Sequence, residues 1–247
     1  MKKILLIANS FGEDASRYLS RIAKSCGEEL KTACLYIGGC SLERHHANML
    51  SGEAAYELIS DGERTGTMIS IKDALLLDKW DIVSFQQVSQ KSTDFSTYEP
   101  YLCALSAYAR ELAPGAKQYI HAIWAWSDER LAASELPYAN SAEMTALDKA
   151  AYALAAEAIS ADGYLPATDA MAKLYAAIGS AAYRDGFHAN LGVGRFMLGL
   201  LWYGVIFGKS VYDVDYRDFD IEVTEEEIEI AKRCAAEAIA ECEFLRK

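Results

Sequence analysis

Short apolar runs alternate with helical periods along nearly the whole chain. Residues 3–8, 31–37, 81–86 and 118–123 are apolar stretches with the length of buried strands. Between them the period changes. Residues 14–26 place Tyr18, Leu19, Ile22 and Ala23 on one side of a helix. Residues 41–51 read as a short helix or ordered loop, and 71–77 as a short helix. Residues 96–112 read as a helix stopped by Pro114-Gly115. Between Tyr56 and Ile71, Asp61-Gly62 sits between β-compatible flanks and predicts a hairpin. Residues 124–140 have no clean period and contain Pro137, so they read as a loop. The second half is mostly helical, with helices over 141–161 (Ser141 as N-cap), 167–182 and 190–207. Tyr164-Leu165-Pro166 is a possible short fifth strand. Thr224 with Glu227 three residues on predicts a capping box at the start of the last helix.

Strands alternating with helices imply βαβ units with right-handed connections and a parallel sheet covered on both faces. The expected fold class is therefore α/β, a three-layer α/β/α sandwich with a central, mostly parallel sheet. There is no internal repeat, linker or break in composition, so residues 1–247 read as one domain.

Composition narrows the function classes. The chain has 24 basic and 36 acidic side chains, a net charge of −12, and 52% apolar residues. No cluster of Lys and Arg could neutralise a phosphate backbone, so nucleic acid is not expected as a partner. Lys2-Lys3 before an apolar run resembles a secretory leader, but the run is short and polar Asn9-Ser10 follows at once. The apolar stretch 196–207 has the length of a core helix, not of a membrane span. The chain therefore reads as cytoplasmic with no membrane partner. The six cysteines form no C-x-x-C pair and no Cys/His zinc spacing; they read as reduced apolar side chains, with no metal site.

In an open α/β sheet, ligands bind beyond the C-terminal ends of the strands. Those ends carry Asn9-Ser10-Phe11-Gly12, Gly38-Gly39-Cys40-Ser41, Gln86-Gln87 and His121. All are small or polar, and all are expected on one edge. Ser10 sits where a strand turns into a helix, which exposes a hydroxyl near free N–H groups. A serine nucleophile needs a base and an orienting acid. Of the four histidines, His45 and His46 are adjacent on a polar stretch and read as surface residues. His121 is a pocket candidate, as are Tyr98 and Ser89. His188 follows Asp185 by three residues, a spacing that brings a carboxylate to its ring within one turn.

Taken in order, these pieces resemble the SGNH (GDSL-type) hydrolase superfamily. Ala8-Asn9-Ser10 stands for its strand-terminal G-D-S, and Gly38-Gly39 for its glycine block. Gln86-Gln87 falls near its G-x-N-D block, and Asp185-Gly186-Phe187-His188 matches its D-x-x-H. The closest resemblance is to a bacterial branch of the clan labelled a domain of unknown function. That branch reads I-L-x-I-G-N-S-F at the start, L-Q-x-x-S on the third strand, and a Trp after the fourth. The match spans nearly the whole chain. Asn9 replaces the usual Asp, Ala8 the usual Gly, and the Asn of the third block is absent.

The resemblance implies a flavodoxin-like SGNH fold and a serine esterase without a cofactor. Ser10 would be the nucleophile, His188 the base and Asp185 its orienter. The Ser10 and Gly39 N–H groups, with the amide of Gln86 or Gln87, would form the oxyanion hole. Gly38, His121 and Trp124 would line the substrate site. Aromatic faces stack on sugars, so Trp124 and Trp126 suggest an O-acetylated carbohydrate; the acidic balance suggests a neutral substrate. Two other outcomes fit the same residues, an SGNH-fold binding protein with weakened catalysis and an O-acyltransferase. A flavodoxin-like phosphate site is opposed by Glu13 and Asp14 just after Ser10.

Overall fold

The computed structural model describes residues 1–246. The predicted strands form β1 (Lys2–Ile7), β2 (Leu30–Tyr36), β5 (Ile82–Phe85) and β6 (Lys117–His121), and Gly163–Leu165 is a true strand, β7. The hairpin forms as β3 (Tyr56–Ser60) and β4 (Glu63–Ile69), turning at Asp61-Gly62. One seven-stranded sheet results, in the order β4-β3-β2-β1-β5-β6-β7. The run from β2 to β7 is parallel, and only the hairpin at the β2 edge is antiparallel. β1 is central and pairs with β2 and β5, so Ile4–Ile7 is buried on both faces.

The helices form two outer layers. On one face, α9 (Val193–Phe207) packs against α1 (Ser10–Ser16), α2 (Leu19–Ser25), α8 (Ala167–Ile178) and α10 (Glu225–Glu241). α9 is apolar almost all round because it is covered almost all round. On the other face, α5 (Tyr101–Leu112) packs against α3 (Leu42–Ser51) and α4 (Ile71–Leu76). The Thr224–Glu227 capping box is present. No described helix is long and apolar enough to cross a membrane.

Several boundaries differ from the sequence reading, each for a local reason. The helix expected over 14–26 is two helices. The break falls at Arg17-Tyr18, where Tyr18 takes φ −108° and ψ −4°, and the Tyr18 hydroxyl donates to Leu191 O (2.6 Å) and accepts from Asp220 N (2.8 Å). The helix expected from 96 begins only at Tyr101, because a proline at 100 bars helical geometry at the residue before it. α7 (Ser141–Ala158) is capped by Asn140, whose side chain accepts from Glu143 N (2.9 Å), and not by Ser141. The loop over 124–140 contains a short helix, α6 (Asp128–Ala132), capped by Ser127. His45 is fully buried, not at the surface. Its Nδ1 lies 2.9 Å from the Tyr56 hydroxyl, and burial lowers its pKa to about 3.

Asp148, on the inner face of α7, has no exposed surface, and among the described residues neither carboxyl oxygen has a hydrogen-bond partner. Burial pushes its pKa up to about 8, well above the ordinary 3.8. A carboxyl whose pKa is raised in the folded state contributes stability that is full below its ordinary 3.8 and is lost progressively as pH rises from there to about 8, above which no more is lost. Thermal melts at pH 5 and pH 8 should show the Asp148 contribution as a fall in the wild-type melting temperature with pH. In Asp148→Asn, which cannot ionise, that fall should be smaller. An equal fall in both proteins rules out Asp148 as its source.

Candidate active site

β1 ends at Ile7, and Asn9 turns the chain into α1. Its Oδ1 accepts from Phe11 N (3.0 Å), capping the helix, and its Nδ2 donates to Cys40 O (3.1 Å). Ser10 therefore heads the helix, half-buried, beyond the C-terminal end of the central strand. Gly12 permits this sharp turn, since a Cβ there would lie 2.3 Å from the Ala8 Cβ.

His188 and Asp185 lie on a loop that leaves and returns through an antiparallel bridge between Tyr183 and Ala189. Gly186 takes φ +88°, and a Cβ there would lie 2.7 Å from the Arg130 Cβ, so glycine is required. Asp185 Oδ1 accepts from His188 N (2.8 Å) and Phe187 N (3.2 Å). Its Oδ2 lies 2.6 Å from His188 Nδ1, and His188 Nε2 lies 2.8 Å from Ser10 Oγ. An ionised carboxylate only accepts, so Nδ1 carries the proton and Nε2 accepts from the serine hydroxyl. Burial works to raise the Asp185 carboxyl, but the His188 side chain and the two amides outweigh it and hold the group below its ordinary value.

A cavity of about 610 Å³ opens at this trio; Gly38, Gly39, Val88, Ser89 and Gln90 line it from the strand-end loops. Gly39 takes φ +63° in its turn, and its N–H donates to no backbone group among the described residues. A larger groove of about 840 Å³, near Tyr164 and Phe244, lies at the far edge of the sheet; no histidine lines it. Among the described residues, no group of three or more His, Cys, Asp or Glu is arranged to hold a metal ion.

The other expected site residues are placed elsewhere. Gln86 Nε2 donates to Asn9 Oδ1 (2.8 Å), and its Oε1 lies 2.9 Å from His121 Nδ1. Since that oxygen can only accept, His121 Nδ1 is the donor. Gln87 Oε1 accepts from Leu42 N (3.0 Å) and Val88 N (2.9 Å), while its Nε2 donates to Thr97 O (3.0 Å). Both glutamines are buried and neither lines the cavity. β5 ends at Phe85, so strand alternation does not aim them; their hydrogen-bond partners do. His121 is fully buried behind Gln86, against Trp202 (ring centroids 5.5 Å apart). Trp124 is also fully buried, with its indole N–H on Phe187 O (2.8 Å) and its ring against Phe11 (4.4 Å). Trp126 is buried against Phe187. Tyr98 is buried and donates to Ser92 O. Of the lesser candidates only Ser89 reaches the cavity.

Other residues shape the site in ways the sequence reading did not assign. Asn9 links the Ser10 turn to both Cys40 and Gln86. Arg64, Arg184 and Arg195 line the cavity, and the fully buried Asp14 holds the last two. Asp14 stands four residues after Ser10, one helical turn on, which was a usable signal. Arg64 arrives from the β3–β4 hairpin, and nothing local in the sequence points to it.

The model of one protein family, a domain of unknown function (DUF4886), matches residues 3–238. The chain belongs to this family. A DUF4886 family protein from Bacteroides uniformis, known from a crystal structure, is 28% identical and superposes with a TM-score of 0.88, over 97% of this chain and 95% of that one. A putative GDSL-like lipase from Parabacteroides merdae is 13% identical, with a TM-score of 0.57 over 84% and 96%. A lipase/acylhydrolase from Enterococcus faecalis is 16% identical, with a TM-score of 0.53 over 88% and 100%. None of the curated proteins matches. This DUF4886 chain thus has the GDSL-like lipase/acylhydrolase fold, and its resemblance to an SGNH-clan branch of unknown function holds.

Proposed function

We propose that this protein is a serine esterase. The observation that carries the reading is the continuous relay from Asp185 through His188 to Ser10, with contacts of 2.6 and 2.8 Å. Ser10 Oγ attacks the ester carbonyl as His188 Nε2 takes its proton. His188 then returns that proton to the leaving alcohol. Water, activated by the same imidazole, releases the acid from the acyl-enzyme. An alcohol in place of water would make the same machinery an O-acyltransferase.

The Ser10 and Gly39 N–H groups hold the tetrahedral oxyanion. Ser89 and Gln90 line the same cavity and replace Gln86 and Gln87 as the side chains able to add a further donor. With Trp124 and Trp126 buried, aromatic stacking no longer argues for a sugar. A fluorophosphonate probe should add one phosphonyl group to the peptide that contains Ser10, and none in Ser10→Ala. Labelling of another serine, or of none, would overturn the reading.

A further inference from the structure

The lining of the Ser10 cavity is rich in arginine although the chain as a whole is acidic. The chain carries a net −12, yet three guanidinium groups, Arg64, Arg184 and Arg195, line the cavity; among the described lining residues Glu13 is the one carboxylate, and Asp14, Asp220 and Glu57 stand behind the arginines. Each guanidinium is held from behind. Arg184 Nη1 reaches both oxygens of Asp14 (2.8 and 2.9 Å) and Ala189 O (2.7 Å). Arg195 donates through Nε to Asp14 (2.9 Å) and through Nη1 to Asp220 (3.1 Å). Arg64 donates through Nε to Glu13 (2.9 Å) and through Nη1 to Glu57 (2.7 Å), and its Cζ lies 4.0 Å from the Tyr36 ring centroid.

These contacts leave one edge of each group free. Among the described residues, Nη2 of Arg64, Nη2 of Arg195, and Nε and Nη2 of Arg184 meet no acceptor. A guanidinium already fixed by its neighbours loses little freedom when it binds a ligand, and its planar fork matches a carboxylate. An alkyl chain in the same place would cover these N–H groups without satisfying them, which is costly.

We propose that the ester processed at Ser10 carries a carboxylate, bound by the free edges of Arg64, Arg184 and Arg195. This rests on the esterase reading above, and it replaces the neutral substrate expected from the overall charge. The carboxylate belongs either to the acyl part or to the alcohol part, and the experiment separates the two. For the acyl side, kcat/KM is compared for the mono-p-nitrophenyl ester of succinate and of succinamate. For the alcohol side, O-acetyl-lactate is compared with O-acetyl-lactamide. At least one anion should be preferred over its amide by about tenfold or more, with the preference shrinking at high salt as screening requires.

Arg64→Gln and Arg64→Lys should both reduce that ratio, the lysine variant less, because it keeps the charge and loses the fork. Free succinate should also slow phosphonate labelling of Ser10 more than succinamide does, a comparison that needs no turnover. Ratios near one for both pairs, with no selective protection while Ser10 is labelled, overturn the carboxylate and leave the esterase standing. Ser10 unlabelled and all four esters untouched overturn both.

Discussion

Ser10→Ala should lower kcat on an activated neutral ester by about 10⁴- to 10⁶-fold, and His188→Ala should lower it about as far. The reason is geometric. Among the described residues Ser10 Oγ has one base within hydrogen-bond reach, His188 Nε2 at 2.8 Å, and that imidazole is held in one tautomer by Asp185 Oδ2 at 2.6 Å. Without the hydroxyl there is no acyl-enzyme; without the imidazole the hydroxyl keeps its proton. The two losses therefore describe one step, and Ser10→Ala/His188→Ala should be little worse than either single variant. Additive losses would mean that the two residues act in separate steps. Asp185→Asn should cost less. The Asp185 side chain is 41% exposed, so water can replace part of what the carboxylate does for the ring. Steady-state rates on purified variants, with circular dichroism as the check on folding, decide all four comparisons.

The Asp185–His188–Ser10 contacts were legible because each residue is marked locally. Ser10 ends an apolar strand, and Asp185 and His188 are three apart; a sequence shows both patterns directly. The parallel core was legible for the same reason, since Ile4–Ile7 and its partner strands are short apolar runs separated by helical periods. The walls of the site were not. Gln86, His121 and Trp124 stand at or just past strand ends, where ligands bind, yet all three are buried. Their direction is set by partners far away in sequence: Asn9 for Gln86, Gln86 for His121 and Phe187 for Trp124. The arginine lining was hidden by a different effect. A net charge sums over the whole surface, while a cavity is governed by the few groups that line it, and Arg64 reaches the cavity only because β3 and β4 fold back beside β2.

Asp14→Asn should cost stability and turnover together. Asp14 ties the Ser10 helix to the His188 loop from the buried side. Its Oδ1 accepts from Arg184 Nη1 and Arg195 Nε, and its Oδ2 accepts from Arg184 Nη1 and from Ala189 N (3.2 Å), the residue after His188. Arg184 closes the same loop through its own N–H to His188 O (3.1 Å). An asparagine of the same shape must turn an NH₂ toward one of these donors. N–H then faces N–H, and two guanidinium groups lose their shared buried counter-charge. Removing one partner of a buried pair typically costs about 3–5 kcal/mol; Arg184 is a quarter exposed, so about 3 kcal/mol is the better figure. For a chain of this length that is a fall of about 6–12 °C in melting temperature. Well below the melting transition, kcat should fall about 10- to 100-fold with KM changed much less, because the loop then holds His188 less closely at Ser10. Phosphonate labelling of Ser10 should slow in proportion, since it needs the same imidazole. A variant that melts early but keeps full kcat and full labelling at 20 °C would show that Asp14 serves the fold alone.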